Sequence, residues 1–139
     1  MTFLLAGCSN SATSDLEEHQ KNELGEAIEE LSFTPEIPRE IPFKAKDIEI
    51  TADRSLFSVK FIGNDQNELT YRSSLAPNTF DFTSEKVEIH KDLEGSYGND
   101  QDHKILRWNN EDIFYELLAN SNTTSKEELI KVARNVESY

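Results

Sequence analysis

The chain has 139 residues, 36% of them hydrophobic and 29% charged, and its 27 acidic against 14 basic side chains give a formal charge of −13. That length holds one domain with a modest core and a tail. The charge favours a soluble monomer and excludes nucleic acid as a partner, because phosphate binding needs clustered Lys and Arg. It also excludes adhesion to an anionic bilayer through the folded surface.

The single cysteine, in "LLAGC", excludes an internal disulfide and a cysteine-rich zinc site. Leu5, Ala6, Gly7 and Cys8 together resemble a bacterial lipobox, the signal read by diacylglyceryl transferase and lipoprotein signal peptidase. Small residues before the cut let the backbone lie extended in a protease groove, and the thiol becomes the thioether carrier of lipid. The polar run from Ser9 to Asp15 reads as a flexible tether. Seven residues precede Cys8 and none is basic, whereas a signal peptide needs a basic start and an apolar segment of about 7–15 residues. Thr2 to Leu5 resemble the tail end of such a segment, so the expectation is a reading frame that begins upstream of Met1, or a chain trimmed at its start. The plainer alternative is a free thiol near an unstructured terminus. With lipid on Cys8 the partner is the membrane, and each buried methylene contributes about 0.8 kcal/mol.

Residues 15–31 carry Leu24, Ala27, Ile28 and Leu31 at helical spacing, with Asp15 as expected cap, Glu17 and Glu18 near the positive end, and Gly25 weakening the middle. This helix is expected to dock on the domain, with partner binding as the alternative. In "FTPEIPREIPF", residues 33–43, three prolines exclude helix. Phe33, Ile37, Ile41 and Phe43 make it a polyproline-like strap packed on the core; a ligand for an aromatic groove is the alternative.

Period-two alternation then takes over. It places strands at Ile48/Ile50, Phe57/Val59/Phe61, Leu69/Tyr71, Phe80/Phe82, Val87/Ile89, residues 104–108 and residues 112–118, with "NNED" as a tight turn between the last two. "SKEELIKVARNVE" closes the chain with a helix opened by a Ser125–Glu128 capping box, its apolar face Leu129, Ala133 and Val136 with Ile130 alongside. The expected class is α+β: an antiparallel meander of six or seven strands with a helix at each end. The expected division is residues 1–8 as the remnant of a lipoprotein signal peptide, 9–32 as tether and helix, and 33–139 as a single domain.

Few residue patterns in the chain point to chemistry. "GNDQ" occurs at Gly63–Gln66 and Gly98–Gln101, each followed six residues on by an arginine, Arg72 and Arg107. A calcium loop needs more alternating carboxylates and a late Glu, so these read as turns, with Asp100, Asp102 and His103 as the weaker cation alternative. His19, His90 and His103 have no partner at ligand spacing and read as solvated. There is no GxSxG elbow and no glycine-rich phosphate loop. Trp108 and Tyr115 fall on facing strands, where cross-strand packing outweighs ligand stacking. No metal, cofactor or catalytic residue is expected, ligand-binding residues stay unassigned, and the chain reads as no enzyme.

Gly95, Trp108, Tyr115, Leu117, Ser125, Glu128, Leu129 and Ala133, with the proline-rich opening, resemble an extracytoplasmic domain-of-unknown-function family. That family occurs in lipoproteins of Gram-positive bacilli and in the outer portions of some anti-sigma-factor-like membrane proteins. The likeness covers roughly residues 30–139 and implies fold and location, with no catalytic residues to carry over. Without a membrane span or a sigma-binding region, the expectation is a lipid-anchored, extracytoplasmic binding or envelope-sensing module. The alternative is a carrier of small apolar or lipid ligands in a pocket under the curved sheet.

Overall fold

The computed structural model describes residues 10–11, 17–77, 82–99, 102–120 and 122–138. The lipobox residues Leu5 to Cys8, the expected cap Asp15, and Phe80 and Asp100 lie outside them. In chain order the elements are β1 (Asn10–Ser11), α1 (Glu18–Glu29), β2 (Glu36–Pro38), β3 (Glu40–Ile41), β4 (Asp47–Ala52), β5 (Leu56–Ile62) and β6 (Glu68–Ser74). There follow β7 (Ser84–His90), β8 (Leu93–Asn99), β9 (His103–Asn110), β10 (Ile113–Asn120), α2 (Lys126–Arg134) and β11 (Val136–Ser138).

Seven strands form one antiparallel sheet in the order β4-β5-β6-β10-β9-β8-β7. The expected α+β class, with an antiparallel sheet and a helix near each end, is present. The strand order is not one continuous meander. β4 to β6 and β7 to β10 are separate meanders, joined where β6 pairs with β10 in the middle of the sheet.

Two strands differ from the sequence reading. Phe82 is not in a strand; its ring packs on Gly98, where an added Cβ would collide with it. The missing strand is β8, "LEGSYGN", whose glycines hide any alternation. A Cβ on Gly95 would come within 2.8 Å of the Arg107 carbonyl and 2.9 Å of Ile89 Cδ1. Close approach of neighbours, not turn formation, therefore requires a glycine there.

Alternation sends Phe57, Val59, Phe61, Leu69, Tyr71, Leu106, Tyr115 and Leu117 to one face, where they cluster with Leu24 of α1 and Leu129, Val132 and Ala133 of α2. Phe57, Leu69, Tyr71, Leu106 and Leu117 are all 0% exposed, and each such side chain contributes about 1.5–3 kcal/mol by leaving water. On this face Tyr115 stacks on Trp108 at 5.3 Å between ring centroids and on Tyr71 at 6.1 Å. The expected Trp108–Tyr115 pair thus extends into a row of three rings.

α1 is capped at Glu17, where the Gln20 side chain accepts the Glu17 N–H at 2.9 Å, and it runs unbroken through Gly25. Gln20 also donates to Asp47 Oδ1 at 2.6 Å, tying the helix to β4. α2 carries its capping box: Glu128 N–H donates to Ser125 Oγ at 3.1 Å and Ser125 N–H to Glu128 Oε1 at 2.8 Å. It ends earlier than expected, because Asn135 leaves the helical region at φ −116°, ψ 42°. Val136, expected on the helix face, instead pairs with Pro38 in β11.

The strap is held by short ladders rather than lying free: β2 pairs with β11 and β3 with β1. Proline removes donors, so such a segment supports only brief edge pairing. Ile37, Ile41 and Phe43 are buried as expected, and Phe33 only partly. The Tyr71 hydroxyl, under the sheet, donates to the Glu36 carbonyl.

Burial holds the Tyr71 phenol well above its ordinary range, with Tyr115 and Glu36 adding to the effect. The folded state therefore keeps this proton at pH values where the unfolded chain releases it. Stability from this group is complete below about pH 10 and falls as pH rises further. Urea midpoints are expected to hold steady up to that pH and then decline. Tyr71→Phe lowers the plateau, since Glu36 loses its donor, and makes the decline shallower.

The turn between β9 and β10 places Glu111 at φ 58°. A left-handed side chain is strained by about 1–2 kcal/mol. Glu111→Gly is expected to raise the unfolding free energy by about 1 kcal/mol, read from urea denaturation.

Candidate functional site

The face of the sheet opposite the helices carries the other half of the alternation. Across β6, β10, β9, β8 and β7 the register partners are, in order, Arg72, Glu116, Arg107, Ser96 and Lys86. Beside this row a second one holds Ser74, Phe114 and Asn109. Three cations and one anion thus line up on the surface of a strongly acidic chain.

A cavity of about 300 Å³ opens on this face. Both rows line it, together with Ala76 and Pro77, which begin the connection from β6 to β7. Its described boundary is therefore the outer sheet surface together with Ala76 and Pro77.

Arg107 and Glu116 form the inner pair of the site, Nε to Oε2 at 2.5 Å, with side chains 20% and 14% exposed. The Arg107 guanidinium also lies 4.6 Å from the centroid of the Phe82 ring. Charge-assisted bonds in such half-dry surroundings are stronger than those between neutral groups. Arg72 faces Glu116 from the opposite side, half-buried, and makes no hydrogen bond or ion pair with a described residue. The Ser74 hydroxyl accepts the Ala76 N–H at 3.1 Å. Phe114 is half-buried and supplies an apolar surface.

The two "GNDQ" copies part company in three dimensions. In the first, Asp65 and Gln66 take φ of 56° and 66° in the β5–β6 loop, and Asn120 donates to the Gln66 carbonyl at 2.6 Å. In the second, Gly98 and Asn99 end β8. What the copies share is the arginine six residues on. Arg72 and Arg107 arrive on either side of Glu116, because β6 and β9 both flank β10.

The histidines do not converge: His19 sits 3.3 Å from Glu17 in exposed surroundings, His90 ends β7, and His103 opens β9. Among the described residues no group of three or more His, Cys, Asp or Glu is placed to hold a metal ion. Among them, too, no helix is long and apolar enough to cross a membrane.

Sequence reasoning passed over Arg72, Arg107, Glu116, Phe114 and Asn109. The signal was present in outline: the repeated spacing to an arginine, and a lone Glu in the otherwise apolar run "IFYELLA".

A family model described as Domain of unknown function (DUF4367) matches residues 36–136, from β2 into β11. The chain belongs to that family. No curated protein and no solved structure matches it.

Glu116→Gln keeps the shape and removes the charge that Arg107 meets, and is expected to lower stability by about 1–3 kcal/mol. Glu137→Gln breaks the Arg39–Glu137 pair, whose side chains are 59% and 58% exposed, and is expected to change stability by less than about 1 kcal/mol. Parallel urea titrations of the two variants read the difference.

Proposed function

We propose that this DUF4367 protein is a non-enzymatic surface lipoprotein, anchored by lipid on Cys8 and facing the extracytoplasmic side, that serves as a binding or envelope-sensing module through the outer face of its sheet. The observation that carries the binding role is the cavity of about 300 Å³ over the Arg72–Glu116–Arg107 row. Binding sites are concave and combine apolar walls with a few placed polar groups; here Phe114 and Pro77 supply the first, and Arg72, Ser74 and Asn109 the second.

The anchoring reading is supported by Leu5-Ala6-Gly7-Cys8 and the polar residues that follow it. A Gram-positive source fits that motif. The non-enzymatic reading is supported by the site's chemistry: its described lining contains no histidine or cysteine, and the Glu116 carboxylate is engaged by a guanidinium. The alternative, a carrier with an apolar ligand under the sheet, is less well supported. Tyr71, Phe57, Leu106 and Leu117 fill that face at 0% exposure.

The test is to express the gene with its upstream codons and weigh the N-terminal peptide. Cys8 is expected to carry diacylglyceryl lipid and the protein to sediment with membranes, whereas Cys8→Ser leaves it soluble. An unmodified thiol on a cytosolic protein overturns the anchoring.

A further inference from the structure

We infer that the outer-face cavity receives a small organic anion, a single carboxylate on a short apolar body, with Arg72 as its counter-ion. This rests on reading the cavity as the binding site and specifies what enters it.

Charge comes first. In a chain of formal charge −13, the described lining of this cavity holds Arg72, Arg107 and Lys86 against Glu94 and Glu116, a local excess of positive charge. An acidic protein repels anions except where cations gather, so this local excess of cations sets the sign of what the cavity accepts.

Arg72 then sets the chemistry of the head group. A guanidinium presents five donors in a planar fork suited to a carboxylate. That of Arg72 is half-buried and bonded to no described residue, while the carboxylate opposite it reaches to Arg107 instead. A partly desolvated charge without a partner is costly, and an incoming anion relieves that cost. Lys86 lies four strand steps away, about 19 Å across the sheet, too far to share one head group. The head is therefore a monoanion held at one end.

Phe114 and Pro77 set the body. They give the same cavity an apolar wall, and Asn109, the register neighbour of Phe114, adds a neutral hydrogen-bonding group. At about 300 Å³ the space lies at the small end for ligand sites, which limits the body to a short chain or a single ring.

The test titrates the full chain with hexanoate, hexanamide and inorganic phosphate, following backbone amide resonances. Hexanoate is expected to shift Arg72, Asn109 and Phe114 saturably, to bind about tenfold or more tightly than hexanamide, and to weaken as salt rises. Inorganic phosphate is expected to bind more weakly than hexanoate because it lacks the body. Arg72→Met should reduce hexanoate affinity about tenfold without lowering the melting temperature. The comparison of hexanoate with hexanamide needs no variant, so it decides the matter even if Arg72→Met folds poorly.

Hexanamide binding as tightly at the same amides overturns the anionic head while leaving the cavity as a binding site. Phosphate binding as tightly as hexanoate overturns the apolar body. An absence of saturable shifts at the cavity overturns the inference and the cavity's binding role together, and leaves the lipid anchor to its own measurement.

Discussion

The pairing of β6 with β10 decides the rest of the molecule. It brings two independent meanders into one sheet, and its register settles which side chains face the helices and which face out. Because side chains alternate along a strand, a slip of one residue exchanges the two sets. Leu117 and Tyr115 would then point to solvent, and Glu116 would point into the apolar layer beneath the helices. The cost of that exchange pins the register. The charged row outside and the aromatic row inside are two consequences of a single constraint.

The inner row also fastens the periphery. Tyr71 lies in the middle of the sheet and its hydroxyl reaches the Glu36 carbonyl in the strap. The strap in turn pairs with β11, which follows α2. At the β4 edge Gln20 joins α1 to the sheet, and at the opposite edge Arg134 of α2 donates to the Ile89 carbonyl of β7 at 2.6 Å. Each of these links satisfies a polar group at the margin of an apolar layer, where an unpaired donor or acceptor is expensive.

The outer face owes its character to strand order. Residues 75–83 leave β6 in the middle and reach β7 at the edge, four strand steps or about 19 Å away. Ala76 and Pro77 at its start border the cavity, and Phe82 near its end covers Gly98 and lies beside Arg107. With hairpins alone, β6 would neighbour β7. Arg72 and Arg107 would then have no common carboxylate between them.

Local periodicity in the sequence was enough to determine both helices, six of the seven main strands, the burial of Ile37, Ile41 and Phe43 in the strap, and the Ser125–Glu128 cap, because each follows from a short local pattern. β8 escaped because its glycines answer to neighbours distant in sequence: Arg107 for Gly95 and Phe82 for Gly98. The helix end at Asn135 and the pairing of Val136 with Pro38 escaped for a similar reason, since β2 lies about a hundred residues away. The site was the least legible part. Arg72, Glu116 and Arg107 become neighbours only once β6 and β9 flank β10, and strand order is set by the joint burial of many side chains, which no single stretch of sequence contains.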